Sequence, residues 1–152
     1  MKPKKALAIL AKGRPLVGVR IDGTLDFTTW GVEIKISKPI TIRNCVLDSL
    51  KALFCYFHSP VVLRNTKILG DASFYAGYFF EGLHINQCEF LGELDLQCGG
   101  HNKNENRVIL QSTRFDGFVN FFDCWYEGPF VVRGCSSTAV CHLIANRHCQ
   151  PN

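Results

Sequence analysis

The sequence is poor in charged residues and almost devoid of methionine. Charged residues make up 20% of the 152 residues and apolar residues 47%, which excludes the low hydrophobicity and high charge of disordered chains. A single methionine beside 12 phenylalanines favours stacked, well-specified packing over adaptable packing. No apolar run approaches the length of a membrane span, so we expect one domain that does not enter a membrane.

Acidic residues are absent from the first 14 residues, which carry five basic ones. The rest of the chain therefore has 12 basic and 13 acidic residues, a net charge of −1, although the whole chain carries +4. A near-neutral body makes a nucleic-acid surface over the whole domain unlikely and leaves only the basic N-terminal segment for such contact. The apolar run 6–11 is too short for a signal peptide, so we expect a short N-terminal helix and a cytoplasmic location.

A nine-residue phrase recurs along the chain at nearly constant spacing. Successive copies begin 21, 22, 25 and 22 residues apart, and the longest interval contains a polar insertion at 98–106. Such a constant interval indicates a repeat architecture. The copies are PITIRNCVL (39–47), PVVLRNTKI (60–68), GLHINQCEF (82–90), RVILQSTRF (107–115) and PFVVRGCSS (129–137).

Large apolar residues form a finer pattern within each repeat. They lie five or six residues apart, and a small or apolar residue precedes most of them by two positions. Residues i−2 and i of an extended segment point to the same side, so four short segments and four corners close one coil in about 22 residues. Like residues then stack on the next coil. The central residues are Ile68, Phe74, Phe79, Ile85, Phe90, Leu96, Leu110, Phe115, Phe121, Tyr126 and Val132.

The repeat predicts an all-β fold, a right-handed parallel β-helix solenoid of about six rungs of 21–22 residues with a short N-terminal capping helix. We assign residues 1–15 to the basic capping helix and residues 16–145 to the repeat domain. Residues 146–152 are assigned to a C-terminal tail.

The phrases NCVL, QCEFLG and STRFDG, at 44–47, 87–92 and 112–117, resemble the pentapeptide-repeat family. Coils of that family place a small residue two positions before a central Leu or Phe, and the resemblance covers residues 34–143. The chain differs in its alternating five- and six-residue steps and in the β-branched residues at many small positions. A divergent member and a related four-sided β-helix are therefore both open. For some members, the resemblance implies binding to topoisomerases by mimicry of nucleic acid.

Most of the cysteines are predicted to be free and to point inward. Cys45, Cys88 and Cys135 fall in one column two rungs apart, which separates neighbouring members by roughly 9–10 Å. A disulfide requires Cα atoms closer than about 7 Å. Cys55 and Cys124 fall in a second column three rungs apart. Unpaired inward thiols favour a reducing compartment.

Motifs for catalysis or metal binding are missing, so we predict no catalytic residue, no metal and no cofactor. The segment CHLIANRHC (141–149) contains two Cys/His pairs, but their spacing is looser than that of structural zinc sites. Four acidic residues on neighbouring rungs are interpreted as ordinary surface carboxylates. They are Glu89, Glu93, Asp95 and Asp116.

Aromatic residues recur at positions predicted to point outward on two adjacent sides. A soluble protein rarely leaves such a patch uncovered, so we predict a partner-binding surface. A register slip of one residue, or coverage by the loop 98–106, is the alternative. The predicted surface comprises Phe54, Tyr75 and Phe122 on one side and Tyr56, Tyr78 and Trp125 on the next. At the opposite corner, Arg43, Arg64 and Arg133 share a column that is either a possible anion-binding site or a solvated ladder.

These features favour a non-catalytic interaction or assembly module that binds a protein partner or a second copy of itself. A topoisomerase-binding nucleic-acid mimic is an alternative, but it needs a strongly acidic surface and this body is near neutral. A carbohydrate-active or carbohydrate-binding β-helix is a second alternative, which the free cysteines and the missing signal peptide disfavour.

Overall fold

The computed structural model describes residues 1–103 and 105–138. Over these residues the chain winds as a parallel β-solenoid of about six turns, preceded by one helix. The all-β fold predicted from the repeat is confirmed, and the right-handed β-helix architecture is supported. The predicted tail 146–152 and the segment 141–149 lie outside the described residues.

Each coil has four sides, which we name faces A, B, C and D in chain order. Face A is the six-stranded sheet Leu16–Val17, Ile40–Arg43, Val61–Arg64, Leu83–Asn86, Val108–Gln111 and Phe130–Arg133. Face D is the three-stranded sheet Ile34–Ile36, Cys55–Phe57 and Tyr78–Phe79, extended by isolated bridges at Gly100 and Trp125.

Faces B and C belong to one nine-stranded sheet. Its strands Arg20–Asp26 and Val46–Lys51 are long enough to run across both faces. Face B continues with Lys67–Ile68, Glu89–Phe90, Arg114–Phe115 and Ser136–Ser137. Face C continues with Ala72–Ser73, Leu94–Asp95 and Val119–Asn120. A short 3-10 helix, Phe27–Trp30, joins faces C and D in the first coil.

The coils stack in register, so that like residues form columns through the core. On face A, for example, Leu63 pairs with Ile42 on one side and Ile85 on the other. The rings of Phe57 and Phe79 stack with centroids 5.2 Å apart and planes 2° apart. This is the packing that a pattern of large residues at a constant return interval predicts.

The central residues of the predicted pattern are buried, except Tyr126 and Val132 towards the end of the described chain. Phe74 and Phe121 are 2% and 4% exposed. Tyr126 is half-buried and packs against the edge of the core. Val132, predicted to be inward, is 49% exposed because nothing in the described part of the chain packs over it.

The N-terminal helix α1, Pro3–Leu10, covers the first coil. Its apolar side chains Ala6, Leu7 and Leu10 are buried, and the helix packs against the strand Arg20–Asp26. The predicted capping helix is therefore present, and its exposed lysines lie on the solvent side.

Two diagonally opposite corners of the coil turn through left-handed residues. At the corner between faces A and B these are Gly18, Asn44, Asn65, Gln87, Ser112 and Gly134. At the corner between faces C and D, φ lies between 51° and 56° for Phe54, Ala76, Cys98 and Asp123. A left-handed conformation costs a residue other than glycine roughly 1–2 kcal/mol, so stacking holds these corners against a local preference.

The core packing predicts different effects for two adjacent phenylalanines. Phe121→Ala should lower the free energy of unfolding by about 3–5 kcal/mol, because it removes a buried ring from the core. Phe122→Ala, whose ring is 51% exposed, should change it by about 0.5 kcal/mol or less. Urea denaturation measures both. Equal losses in the two variants would show that this side of the coil has a different register.

The left-handed corner predicts a stabilising substitution. Ala76→Gly should raise the free energy of unfolding by about 0.5–1 kcal/mol. Glycine adopts a positive φ without steric cost, and this relief exceeds the extra conformational entropy that glycine loses on folding. Ala72→Gly is the matched control: Ala72 is buried in an extended strand, so this change should destabilise the protein. The same denaturation experiment decides, and a loss of stability at position 76 would contradict the proposed strain.

Candidate functional site

Three aromatic residues form the outer column of face D. Tyr56 pairs with Tyr78, and isolated bridges continue this column through Gly100 to Trp125. Trp125 is 56% exposed, and the two tyrosines are half-buried. The outward orientation expected for all three is present, since the adjacent residues are the buried ones: Cys55 and Phe57 beside Tyr56, Phe79 beside Tyr78 and Cys124 beside Trp125.

The rings of this column touch each other rather than standing apart. The centroids of Tyr56 and Tyr78 lie 4.9 Å apart. Where Gly100 interrupts the column, the ring of His101 takes the vacant place, with its centroid 4.1 Å from that of Tyr78. The sequence pattern did not identify His101, because its position depends on the backbone of the 98–106 insertion.

On the neighbouring side, Phe54 occupies a different position from the one predicted. It was expected to share a column with Tyr75 and Phe122, but the backbone N–H of Phe54 donates to the carbonyl of Tyr75, which aligns Phe54 with Ala76. A column shared with Tyr75 and Phe122, which follow the inward residues Phe74 and Phe121, would require Leu53 to point inward. Instead Ala52 is fully buried and takes the inward position.

Phe54 nevertheless remains beside the other rings. Its ring meets Tyr75 edge to face, with centroids 5.5 Å apart. Phe54 is 43% exposed and Phe122 is 51% exposed. We use the name aromatic surface for the six predicted residues, Phe54, Tyr56, Tyr75, Tyr78, Phe122 and Trp125.

Tyr56 and Tyr75 of the aromatic surface are neutral hydrogen-bonding groups near neutral pH. A hydrogen bond with Cys98, together with the charges around it, raises the pKa of Tyr75 above its ordinary value of 10.0. Partial desolvation and then the carboxylate of Glu33 raise the pKa of Tyr56. Both side chains therefore combine an apolar ring with a hydroxyl group that donates or accepts hydrogen bonds.

The insertion 98–106 packs against one end of the aromatic surface and leaves most of it open. The side-chain amide of Asn106 donates to the carbonyl of Phe80 at 3.1 Å and to the Glu81 carboxylate at 3.0 Å. Lys103 Nζ lies 3.3 Å from the same carboxylate and 5.9 Å from the centre of the Phe80 ring. The predicted alternative, that this loop covers the rings, therefore applies to Phe80 and, through His101, to part of Tyr78, and not to the exposed Trp125.

The arginines predicted at the opposite corner separate into a pair and a single residue. Arg43 and Arg64 are register partners on adjacent strands. Arg133 lies further along the column, beyond Asn86 and Gln111. The pair lines a cleft of about 350 Å³ together with Asn44, Asn65 and Gln87. Gln87 occupies the same corner position as Asn44 and Asn65. It was not identified from the sequence, because it is a glutamine and not an asparagine.

Two of the four predicted surface carboxylates are engaged with basic side chains. Glu89 lies 3.0 Å from Lys67 Nζ, and Asp116 lies 2.7 Å from Arg114 Nη2. Burial, and then the carboxylates of Asp95 and Asp71, raise the pKa of Glu93. Asp71 also accepts a hydrogen bond from the backbone N–H of Glu93 at 2.9 Å, so this acidic cluster has a structural use on the surface.

The inward cysteines alternate with threonines at the corner between faces A and B. The Thr66 hydroxyl donates to the carbonyl of Arg64 and accepts from the backbone N–H of Cys45. Thr113 likewise accepts from the N–H of Cys88 at 3.3 Å. All six cysteines within the described ranges are free: Cys45, Cys55, Cys88, Cys98, Cys124 and Cys135. Five of them, all except Cys98, were predicted to be free.

Comparison with known proteins yields no match to a family model, to a curated protein or to a solved structure. The geometry described above therefore carries the functional argument by itself. In the described part of the chain, no helix is long and apolar enough to cross a membrane. The same residues contain no group of three or more His, Cys, Asp or Glu side chains arranged to hold a metal ion.

The buried thiols predict a pH dependence of stability. Burial, with a smaller contribution from Asp26, raises the pKa of Cys55 from 9.0 to about 12, and burial raises that of Cys88 to about 11. The unfolded chain loses these protons at a lower pH than the folded one, so the free energy of unfolding should fall as the pH rises from 9 towards these values. Urea denaturation across this range should show a smaller fall for Cys55→Ala than for the unchanged protein.

A chemical measurement checks the same thiols without unfolding the protein. Iodoacetamide should leave Cys55 and Cys88 unmodified in the native state and modify both in urea, since the thiolate is the reactive form. The burial of this column would be contradicted if the free energy of unfolding fell equally with pH in the unchanged protein and in Cys55→Ala, and if Cys55 were alkylated rapidly in the native state.

Proposed function

We propose that this chain is a non-catalytic binding module of the pentapeptide-repeat type, located in the cytoplasm, whose aromatic surface binds a partner polypeptide. The observation that carries the proposal is the aromatic surface itself, in which three large rings, Phe54, Phe122 and Trp125, are 43–56% exposed. Packing of the solenoid needs no aromatic residue at these outward positions.

The backbone of the coils holds these rings in place before any partner arrives. Tyr56 and Tyr78 extend from paired strands, and Tyr75 is held against Phe54. Rigid aromatic side chains lose little conformational entropy on binding, which is why Tyr and Trp are enriched among the residues that dominate protein interfaces.

The charges around the rings favour a polypeptide over a nucleic acid. Glu33 and Lys35 border the column of face D, while Asp95 and Asp123 lie beside Tyr75. Lys103 lies at the far end, near Phe80. An aromatic centre with a rim of both charges is typical of protein–protein interfaces. A nucleic-acid site needs a basic surface, and a nucleic-acid mimic needs a uniformly acidic one.

Two further observations support the family and the location that we propose. Thr66 and Cys88 lie two residues before Ile68 and Phe90, and all four are buried in two adjacent four-sided coils, as the pentapeptide-repeat resemblance implies. The unpaired inward thiols agree with a reducing compartment.

Substitution of the rings should weaken partner binding while the solenoid stays folded. Polypeptides retained from native lysate by the immobilised protein would be identified, and their affinity then measured with purified components. Trp125→Ser and Tyr78→Ser should each weaken binding by about 30-fold, the effect of losing roughly 2 kcal/mol at an interface anchor. Urea denaturation confirms that each variant is folded.

Val17→Ser is the matched control, since Val17 is 45% exposed on face A and should bind like the unchanged protein. Equal weakening by all three substitutions would contradict the proposal, as would unfolding of both ring variants. If the mass of the purified protein in solution rises with its concentration, and the ring variants do not show this rise, the partner is a second copy of the chain. Binding to glycans alone would exclude a polypeptide partner.

A further inference from the structure

The cleft between faces A and B is built from side chains that donate hydrogen bonds and carry positive charge. It occupies about 350 Å³ and is lined by Arg43, Asn44, Arg64, Asn65 and Gln87. Asn44, Asn65 and Gln87 have φ of 54°, 46° and 55°, so the chain turns there in three successive coils. The turns project these side chains beside the two guanidinium groups.

Within the described residues, neither of the two guanidinium groups has a compensating charge. Arg43 and Arg64 are register partners, so their backbones lie about 4.8 Å apart. Neither side chain has an ion pair or a hydrogen bond among residues 1–103 and 105–138. Like charges directly opposite each other in a sheet are destabilising, and an anion between them would relieve this repulsion.

Neighbouring acidic groups are not available to neutralise the pair. Glu89, on face B beyond this corner, has Oε2 3.0 Å from Lys67 Nζ and 3.9 Å from Arg114 Nη2. The basic side chains of face B are thus balanced, whereas those of the cleft are not.

The amide groups of the cleft are arranged so that donors remain free. Asn65 Nδ2 donates to Asn44 Oδ1 at 2.9 Å. This hydrogen bond satisfies the Oδ1 acceptor of Asn44 and leaves the Nδ2 group of Asn44 available as a donor. The Gln87 side chain has no partner within the described residues. Together with the N–H groups of the two arginines, these amides present several donors to one small volume.

We propose that this cleft binds a phosphate group. A guanidinium group donates two parallel hydrogen bonds to a phosphate, and two guanidinium groups match the two negative charges of a phosphate or phosphate monoester near neutral pH. Arg133 is excluded from the site, because it lies three rungs from Arg64 and its Nη2 donates to Gln111 Oε1 at 2.7 Å.

The test titrates the full chain with sodium phosphate, and separately with phenyl phosphate, at neutral pH and low ionic strength, where weak electrostatic binding is least screened. Nuclear magnetic resonance of the arginine Nε–Hε groups should show saturable shifts for Arg43 and Arg64. Arg64→Gln should weaken phosphate binding about tenfold, because it removes one charge and its paired donors. Arg133→Gln, the matched control from the same column, should bind as the unchanged protein does.

Arg43→Gln serves as the second variant and should have the same effect as Arg64→Gln. Tighter binding of phenyl phosphate than of inorganic phosphate would identify an ester as the natural ligand, and equal binding would identify free phosphate. Equal weakening by Arg64→Gln and Arg133→Gln would overturn the proposal. Matching shifts with sodium chloride at the same ionic strength would overturn it as well.

Discussion

Parallel stacking in register is the constraint on which the other features of this protein depend. Neighbouring coils exchange backbone hydrogen bonds in both directions. The N–H of Asn65 donates to the carbonyl of Asn86 in the next coil at 2.9 Å, and the N–H of Lys67 donates to the carbonyl of Cys45 in the previous coil at 3.0 Å. The stacking therefore places every side chain above its counterpart from the previous turn. Inward columns form the core by this rule, and outward columns form surfaces by the same rule. The contact of Tyr56 with Tyr78 and the pairing of Arg43 with Arg64 have one common cause.

The two surfaces occupy diagonally opposite corners, and both corners turn through left-handed residues. One includes Asn44 and Asn65, and the other includes Phe54 and Ala76. At such a turn the side chain leaves the coil without entering the core, so its chemical type is not dictated by packing. The core instead imposes its requirements on the strand positions, where Phe79 and Phe90 are 1% exposed. The division lets one scaffold carry an aromatic patch and a basic cleft on the same coils.

The periodicity of the sequence predicted the coil, the inward columns and the general direction of the aromatic side chains, because strand alternation is a local property. The prediction was wrong where the larger of two neighbouring apolar residues is not the one that strand alternation directs inward. Leu53 is larger than Ala52, yet alternation from Leu50 makes Ala52 the inward residue. The ring of Phe54 was displaced by one position for this reason.

Features that depend on neighbouring coils were not visible in the sequence. Left-handed backbone at Gln87 or Cys98 contradicts local preference and is imposed by the coils above and below. The contact between His101 and Tyr78 likewise requires the path of an inserted loop. Charged pairs such as Lys67 with Glu89 become evident only once the register is known.

The insertion 98–106 has a consequence for folding. A chain of similar coils can pair out of step by one whole turn, because each coil offers nearly the same columns to its neighbours. Asn102 is fully buried, and its amide donates to the carbonyl of Asn106 at 2.6 Å and to that of Pro129 at 3.3 Å. A shifted pairing would keep the local bond to Asn106 but remove the Pro129 carbonyl from that buried amide, and such a loss is costly. One irregular turn therefore distinguishes the native order of coils from its misaligned competitors, much as a single buried asparagine selects the register of a coiled coil.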